Sequence, residues 1–175
     1  MELSTAIQLI EEGVQTKGGN WADLGAGTGL FTKALLEILP HESQVHALDK
    51  IPRYLYDLWR EHKKRLIVHD GDFTAPMELP PLDGILMANS LHYMLDKKSI
   101  LPHLLSYLKE GGSFILVEYD TDRKNPPWVP YPISMDSWQK LSEEVGLIHT
   151  KKIASVPSQY SFRSIYSAHS LKGKD

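Results

Sequence analysis

Apolar and polar positions along this chain alternate between two periods. Short stretches with consecutive or alternating apolar side chains recur at residues 20–26, 44–49, 65–69, 84–88 and 113–118. Each is too short for a helix and ends at turn-forming residues, so each predicts a strand. Between them the apolar spacing becomes helical. A helix over 5–14 has Ala6, Ile7, Leu9 and Ile10 as its apolar side and Ser4 as its cap. A second covers 29–39 and stops at Pro40. A third begins near Pro52 and carries Leu55, Leu58 and Trp59 inward. A fourth covers 97–109, with Ile100, Leu101, Leu104, Leu105 and Leu108 on one side and Gly111-Gly112 as its stop. A fifth covers 136–144 and stops at Gly146.

The remaining stretches read as connections. Residues 17–20 form a turn, and 73–82, with three prolines, form a loop. The polar, proline-rich stretch 120–134 is a surface loop. Two closing β-like segments, 148–156 and 162–169, have only a turn near Pro157-Ser158 between them. They read as an antiparallel hairpin on the sheet edge. Alternating strands and helices imply an α/β three-layer sandwich, with a mostly parallel seven-stranded sheet covered on both faces.

Composition narrows the picture. The 175 residues suit one domain, 1–175, and 42% apolar with 23% charged residues is an ordinary globular balance. A net charge of −3 gives no large electrostatic footprint, so no nucleic-acid partner is expected. Cysteine is absent, which rules out disulfides and thiolate chemistry and fits a cytoplasmic setting. No apolar run is long enough to span a membrane, and the N-terminus lacks a secretory layout. The eight histidines show no metal-ligand spacing. Outside His92 they read as scattered surface or core-edge residues. The basic clusters at 62–65, 97–98 and 151–152 read as solvated faces without aromatic interleaving.

The candidate chemistry lies at Asp23-Leu24-Gly25-Ala26-Gly27-Thr28-Gly29, between the first strand and the second helix. Glycines at alternate positions bare the backbone to a ligand, and the helix start adds free N–H groups and a positive dipole end. The dinucleotide fingerprint would put a glycine where Leu30 stands. The carboxylate of Asp23 would repel a pyrophosphate but could hold a cationic group. A glycine turn that merely packs a helix on a strand is the alternative.

The pattern Asp-x-Gly-x-Gly-x-Gly resembles motif I of the class I S-adenosylmethionine-dependent methyltransferases. That resemblance implies a Rossmann-like methyltransferase fold, S-adenosylmethionine as cofactor, and methyl transfer. It assigns Asp23, Gly25, Ala26, Gly27 and Gly29 to the cofactor turn. Asp49, twenty residues past Gly29, matches the acid that accepts the ribose hydroxyls, with Lys50 and Ile51 by the adenine. Asp72 and Phe73 match the acid and ring that meet the base, with Asp70 as the rival acid. The Asn89 backbone would lie near the methionine part, and His92 and Tyr93 at the pocket mouth. The match runs from about residue 20 to 119 with each motif in order.

Departures from the family bear mainly on the acceptor. Only one helix precedes motif I, so the pocket is open or roofed by a second copy in a homodimer. Asn125-Pro126-Pro127-Trp128 looks like an amino-group methyltransferase signature, but it follows the fifth strand instead of the fourth. It reads as a stiff loop and a candidate substrate wall. If the acceptor must lose a proton, the candidate catalytic bases are His92, Tyr93 and Tyr119, in that order. The leading expectation is a methyltransferase acting on a small molecule. The alternatives are a cofactor-binding module without turnover and an RNA or protein methyltransferase. A nicotinamide oxidoreductase conflicts with Asp23 and the glycine spacing.

Overall fold

The computed structural model describes residues 1–14, 18–158 and 163–174. Along them run α1 (Leu3–Ile10), β1 (Asn20–Leu24), α2 (Leu30–Ile38), β2 (Gln44–Asp49), α3 (Leu55–Glu61), β3 (Leu66–Asp70), β4 (Leu82–Ala88), α4 (Lys97–Leu105), β5 (Leu108–Tyr119), α5 (Met135–Glu144), β6 (Leu147–Pro157) and β7 (Ser164–Lys172). Short 3-10 turns at Pro52–Tyr54 and Leu91–Tyr93 precede α3 and follow β4.

The strands make one seven-stranded sheet in the order β3-β2-β1-β4-β5-β7-β6. The pairs from β3 through β5 are parallel, and β7 and β6 close the sheet antiparallel. The expected sandwich with its closing hairpin is therefore the observed one. Successive side chains of each strand serve opposite faces. On one face, Leu9, Ile10, Leu35 and Leu55 from α1, α2 and α3 pack with Trp21, Val45, Leu86 and Ile115. On the other, Leu101, Leu104 and Trp138 from α4 and α5 pack with Leu24, Ile85, Phe114 and Leu116. Burying each such large side chain contributes about 1.5–3 kcal/mol.

After β3 the chain crosses to the far side of β1 and lays down β4. The connections leaving β1 and β4 therefore diverge. A crevice opens at the carboxyl ends of these two strands, where ligands of such sheets bind.

Several local expectations fail, each for a physical reason. α1 begins at Leu3, so Ser4 lies in its first turn instead of capping it, and the preceding Glu2 makes no side-chain cap bond. Leu3 packs against the core and draws the helix start forward. α4 ends at Leu105 instead of residue 109. Ser106 turns its hydroxyl back to the His103 carbonyl oxygen at 2.7 Å, the Leu82 N–H donates to the Tyr107 carbonyl oxygen at 2.8 Å, and Leu108 joins the sheet opposite Leu82. Gly111 and Gly112 thus lie within β5, where the register shifts, and do not stop a helix. Trp59 does not face inward. It is 37% exposed with the Lys63 ammonium 5.4 Å from its ring centre, because so short a helix buries only its Leu55 edge. With Arg53 stacked on the exposed Tyr54, aromatic rings do adjoin the cations of this segment. Lys17 of the expected turn and Phe162 of the last expected strand lie outside the described residues. No helix among the described residues is long and apolar enough to cross a membrane.

Candidate functional site

The crevice holds a cavity of about 790 Å³, framed by the glycine turn, the end of β2 and the segment after β4. The turn is tied down from two sides. The N–H groups of Gly25 and Ala26 both donate to the Leu48 carbonyl oxygen, at 2.9 and 3.0 Å. Gly27 N–H donates to Asp49 Oδ2 at 2.7 Å, and Ile51 N–H to Asp49 Oδ1 at 2.9 Å. Asp49 thus stitches the glycine turn to the turn after β2. Each of its oxygens has further lone-pair capacity to accept from a ligand.

Two of the glycines have distinct reasons. Gly25 has φ +81, and a Cβ there would stand 2.5 Å from the Ser90 Cβ. Ser90 in turn donates to the Leu24 carbonyl oxygen at 2.7 Å, locking β4 to β1. Gly27 has φ +55, and a Cβ there would meet nothing within 4 Å. Packing therefore fixes Gly25, whereas Gly27 keeps its side of the turn bare.

Of the expected cofactor residues, Gly25, Ala26, Gly27, Asp49, Lys50, Ile51, Phe73 and Asn89 line this cavity, and Tyr93 joins them. Asp23, Gly29 and Asp72 do not. Gly29 caps α2 in a left-handed conformation. Asp72 pairs with Lys50 at 2.8 Å at the rim. Burial works against its charge, but the bonds from Lys50 and Thr74 hold its carboxyl below the usual carboxylate range. Asp23 departs most from expectation. Its side chain is buried, 1% exposed, and Oδ2 accepts from Thr32 Oγ1 at 2.7 Å. Burial pushes its carboxyl up to about 7, against the Thr32 bond and with help from the charge of Asp49. It supports the turn from below instead of facing the cavity.

Asn89 ends β4 with a left-handed backbone, φ +53, and its N–H donates to the Val117 carbonyl oxygen at 2.8 Å. Its Oδ1 is buried and has no hydrogen-bond partner among the described residues. Asn89, Leu30 and Phe31 also line a second cavity of about 420 Å³. Its other walls come from Met1, Thr5 and Gln8 of the N-terminal helical segment, Tyr119, Val156, Pro157 and Ile165. Tyr119, a candidate base, faces this smaller space.

His92, the first candidate base, lines neither cavity. It is 3% exposed, and its Nδ1 donates to Glu118 Oε2 at 2.7 Å while its N–H donates to Oε1 at 3.0 Å. Its Nε2 is buried without a partner among the described residues. The ammonium of the buried Lys97 donates to the carbonyl oxygens of Met94, at 2.9 Å, and Tyr131, at 2.5 Å. Burial lowers the pKa of Lys97, while the charges of Glu118 and Asp122 oppose the drop. Glu118 and Lys97 thus anchor the segment that aims Tyr93 and Met94 at the larger cavity. Residues 125–128 line neither cavity, and Trp128 is 72% exposed, so the expected substrate wall is not there.

Sequence reasoning missed Thr28, Leu30, Phe31, Leu48, Gly71, Ala88 and Met94 of the larger cavity. Leu30 and Phe31 directly follow the glycine turn, a signal that was available. It also missed the contact between His46 and His69, whose ring nitrogens are 3.0 Å apart. Burial and the neighbouring His69 lower the pKa of His46 to about 4. Among the described residues, no group of three or more His, Cys, Asp or Glu could hold a metal.

A family model described as a methyltransferase domain matches residues 22–114, more than half of the chain. A malonyl-[acyl-carrier protein] O-methyltransferase of Paenibacillus sp. is 28% identical over 104 residues, covering 55% of this chain and 37% of that protein. An uncharacterized methyltransferase-like protein of Schizosaccharomyces pombe is 30% identical over 108 residues, covering 61% and 40%. The chain thus spans about two fifths of the length of these curated relatives. The crystal structure of the Burkholderia thailandensis 1,6-didemethyltoxoflavin-N1-methyltransferase, with bound 1,6-didemethyltoxoflavin and S-adenosylhomocysteine, superposes with a TM-score of 0.80 at 16% identity, covering 98% of this chain and 78% of that one. The glycine turn, the acid-stitched crevice and the strand order lead to the same place: the chain belongs to the methyltransferase-domain family and has its class I, Rossmann-like fold.

Proposed function

We propose that this protein is a methyltransferase that moves a methyl group from S-adenosylmethionine to a small-molecule acceptor, with the cofactor in the larger cavity and the acceptor in the smaller. The observation that carries this reading is the bare face of Gly27, flanked by the two-oxygen grip of Asp49 and the unmet Asn89 Oδ1. The remaining lone pairs of Asp49 suit a ribose diol. Asn89 Oδ1 is a buried acceptor that an ammonium donor would satisfy, which offsets the cost of leaving it unpaired. Phe73 and Ile51 offer apolar surface to the adenine, and Asp72, tied to Lys50, stands at the rim. Bound there, S-adenosylmethionine supplies an activated methyl group on a positively charged sulfur.

The chain's own contribution is positioning. Aligning nucleophile and methyl supplies several kcal/mol of barrier lowering without proton transfer. His92, enclosed with Glu118, acts as a positioning residue beneath Tyr93. With His92 out of both cavities, the arrangement favours acceptors that need no strong base. A malonyl group on a carrier protein, the acceptor named for the Paenibacillus relative, is the second reading. Its carboxylate would meet no cationic side chain among the described residues of the smaller cavity, which weighs against it. We treat residues 1–175 as one domain and place the reaction in the cytoplasm, which the cysteine-free composition suits. Isothermal titration with S-adenosylhomocysteine tests the cofactor part. Saturable one-to-one binding is expected, and silence alongside a response to NADH would overturn it.

A further inference from the structure

We propose that the smaller cavity selects an uncharged, flat and largely apolar acceptor. This rests on the reading that the larger cavity takes the cofactor. The main-chain amine of Met1 aside, the described lining is apolar except for Thr5, Gln8, Asn89 and Tyr119. None of these side chains is charged at neutral pH. The nearby cation Arg163 is not in the lining, and its guanidinium donates to the Arg123 carbonyl oxygen at 3.1 Å. A carboxylate or phosphate entering this space would lose its hydration and gain no side-chain counter-charge. The larger cavity differs, with Asp49 and Lys50 in its wall.

Size and surface sharpen the class. A space of about 420 Å³ is at the small end of ligand pockets. The aromatic rings of Phe31 and Tyr119 line it, and offset stacking on such rings favours a planar guest, with Pro157 adding aliphatic surface. The hydroxyl of Thr5 and the amides of Gln8 and Asn89 supply neutral hydrogen-bonding groups for orienting an aromatic amine or a ring nitrogen.

The test uses four probes on one scaffold: 1-naphthol, 1-naphthylamine, 1-naphthoate and 1-naphthyl phosphate. Binding is read by saturation-transfer NMR at neutral pH on protein saturated with S-adenosylhomocysteine, whose own affinity is measured first by calorimetry. The two neutral probes are expected to bind at least tenfold more tightly than the two anions. Thr5→Trp and, as an independent block from the exposed side of the same helix, Gln8→Trp are expected to abolish neutral-probe binding while S-adenosylhomocysteine affinity stays within twofold. The proposal is overturned if the anions bind as well as the neutral probes. It also falls if neither variant affects the neutral probes, or if no probe binds a protein that holds S-adenosylhomocysteine. Failure of S-adenosylhomocysteine itself to bind would sink the cofactor reading, and this one with it, by a separate readout.

Discussion

The two cavities share Leu30, Phe31 and Asn89 but are otherwise built from different materials. The larger is a main-chain construction, a glycine turn whose N–H groups are held by Asp49 and the Leu48 carbonyl oxygen. The smaller is a side-chain construction, assembled from α1, the start of α2 and the ends of β4, β5, β6 and β7. Backbone geometry tolerates few alternatives, because glycine holds φ +55 with least strain and, having no side chain, leaves the turn bare. Side-chain walls can be redrawn one residue at a time. On the proposed reading, the common reactant meets the rigid cavity and the variable one meets the adaptable cavity.

The sharpest way to break this comparison is at Gly27. Gly27→Val is expected to lower S-adenosylhomocysteine affinity at least about 100-fold, because a β-branched side chain would fill the cavity side of the turn and resist the positive φ. Circular dichroism and a melting curve check that the fold persists. Near-normal affinity would show that nothing approaches the turn there. Asp49→Ala comes next. Losing the ribose acceptor and freeing the Gly27 and Ile51 N–H groups is expected to cost about 1–3 kcal/mol of cofactor affinity, measured by calorimetry. An unchanged constant would move the ribose elsewhere.

The smallest expected effect on the cofactor separates Asp23, which acts on stability, from Asp49. The Asp23 carboxyl is raised to about 7 by burial, so between about pH 4 and 7 the folded protein keeps a proton that the unfolded chain has released. Its contribution to stability therefore falls as pH rises through that window. Asp23→Asn, which can still accept from Thr32, is expected to match wild type near pH 4 and to melt several degrees higher near pH 8, where the wild-type folded chain has had to ionise the buried carboxyl. Parallel melting profiles across the range would contradict the burial argument.

The sequence carried the crevice well because its determinants are local. The turn, Asp49 and Phe73 lie on successive segments, and their offsets reflect the length of one strand–helix repeat. Asp23 was read by position alone. Side-chain direction depends on strand alternation, and Asp23 shares the face of Trp21, which turns it beneath the turn toward Thr32. His92 looked reactive because its partner Glu118 lies 26 residues away on a neighbouring strand, and no spacing rule connects them. Leu108 fits the helical stripe of α4 as well as it fits β5, and pairing with Leu82 decided the matter. The smaller cavity left no local trace, since Thr5, Asn89 and Ile165 meet only after the sheet is complete.

The common wall of Leu30, Phe31 and Asn89 has a thermodynamic consequence. Two guests that press on the same three side chains are energetically linked, and whatever affinity one lends the other must be returned by the same factor. Donor and recipient would then report on each other's presence through a partition three residues wide, without any movement of the surrounding sheet.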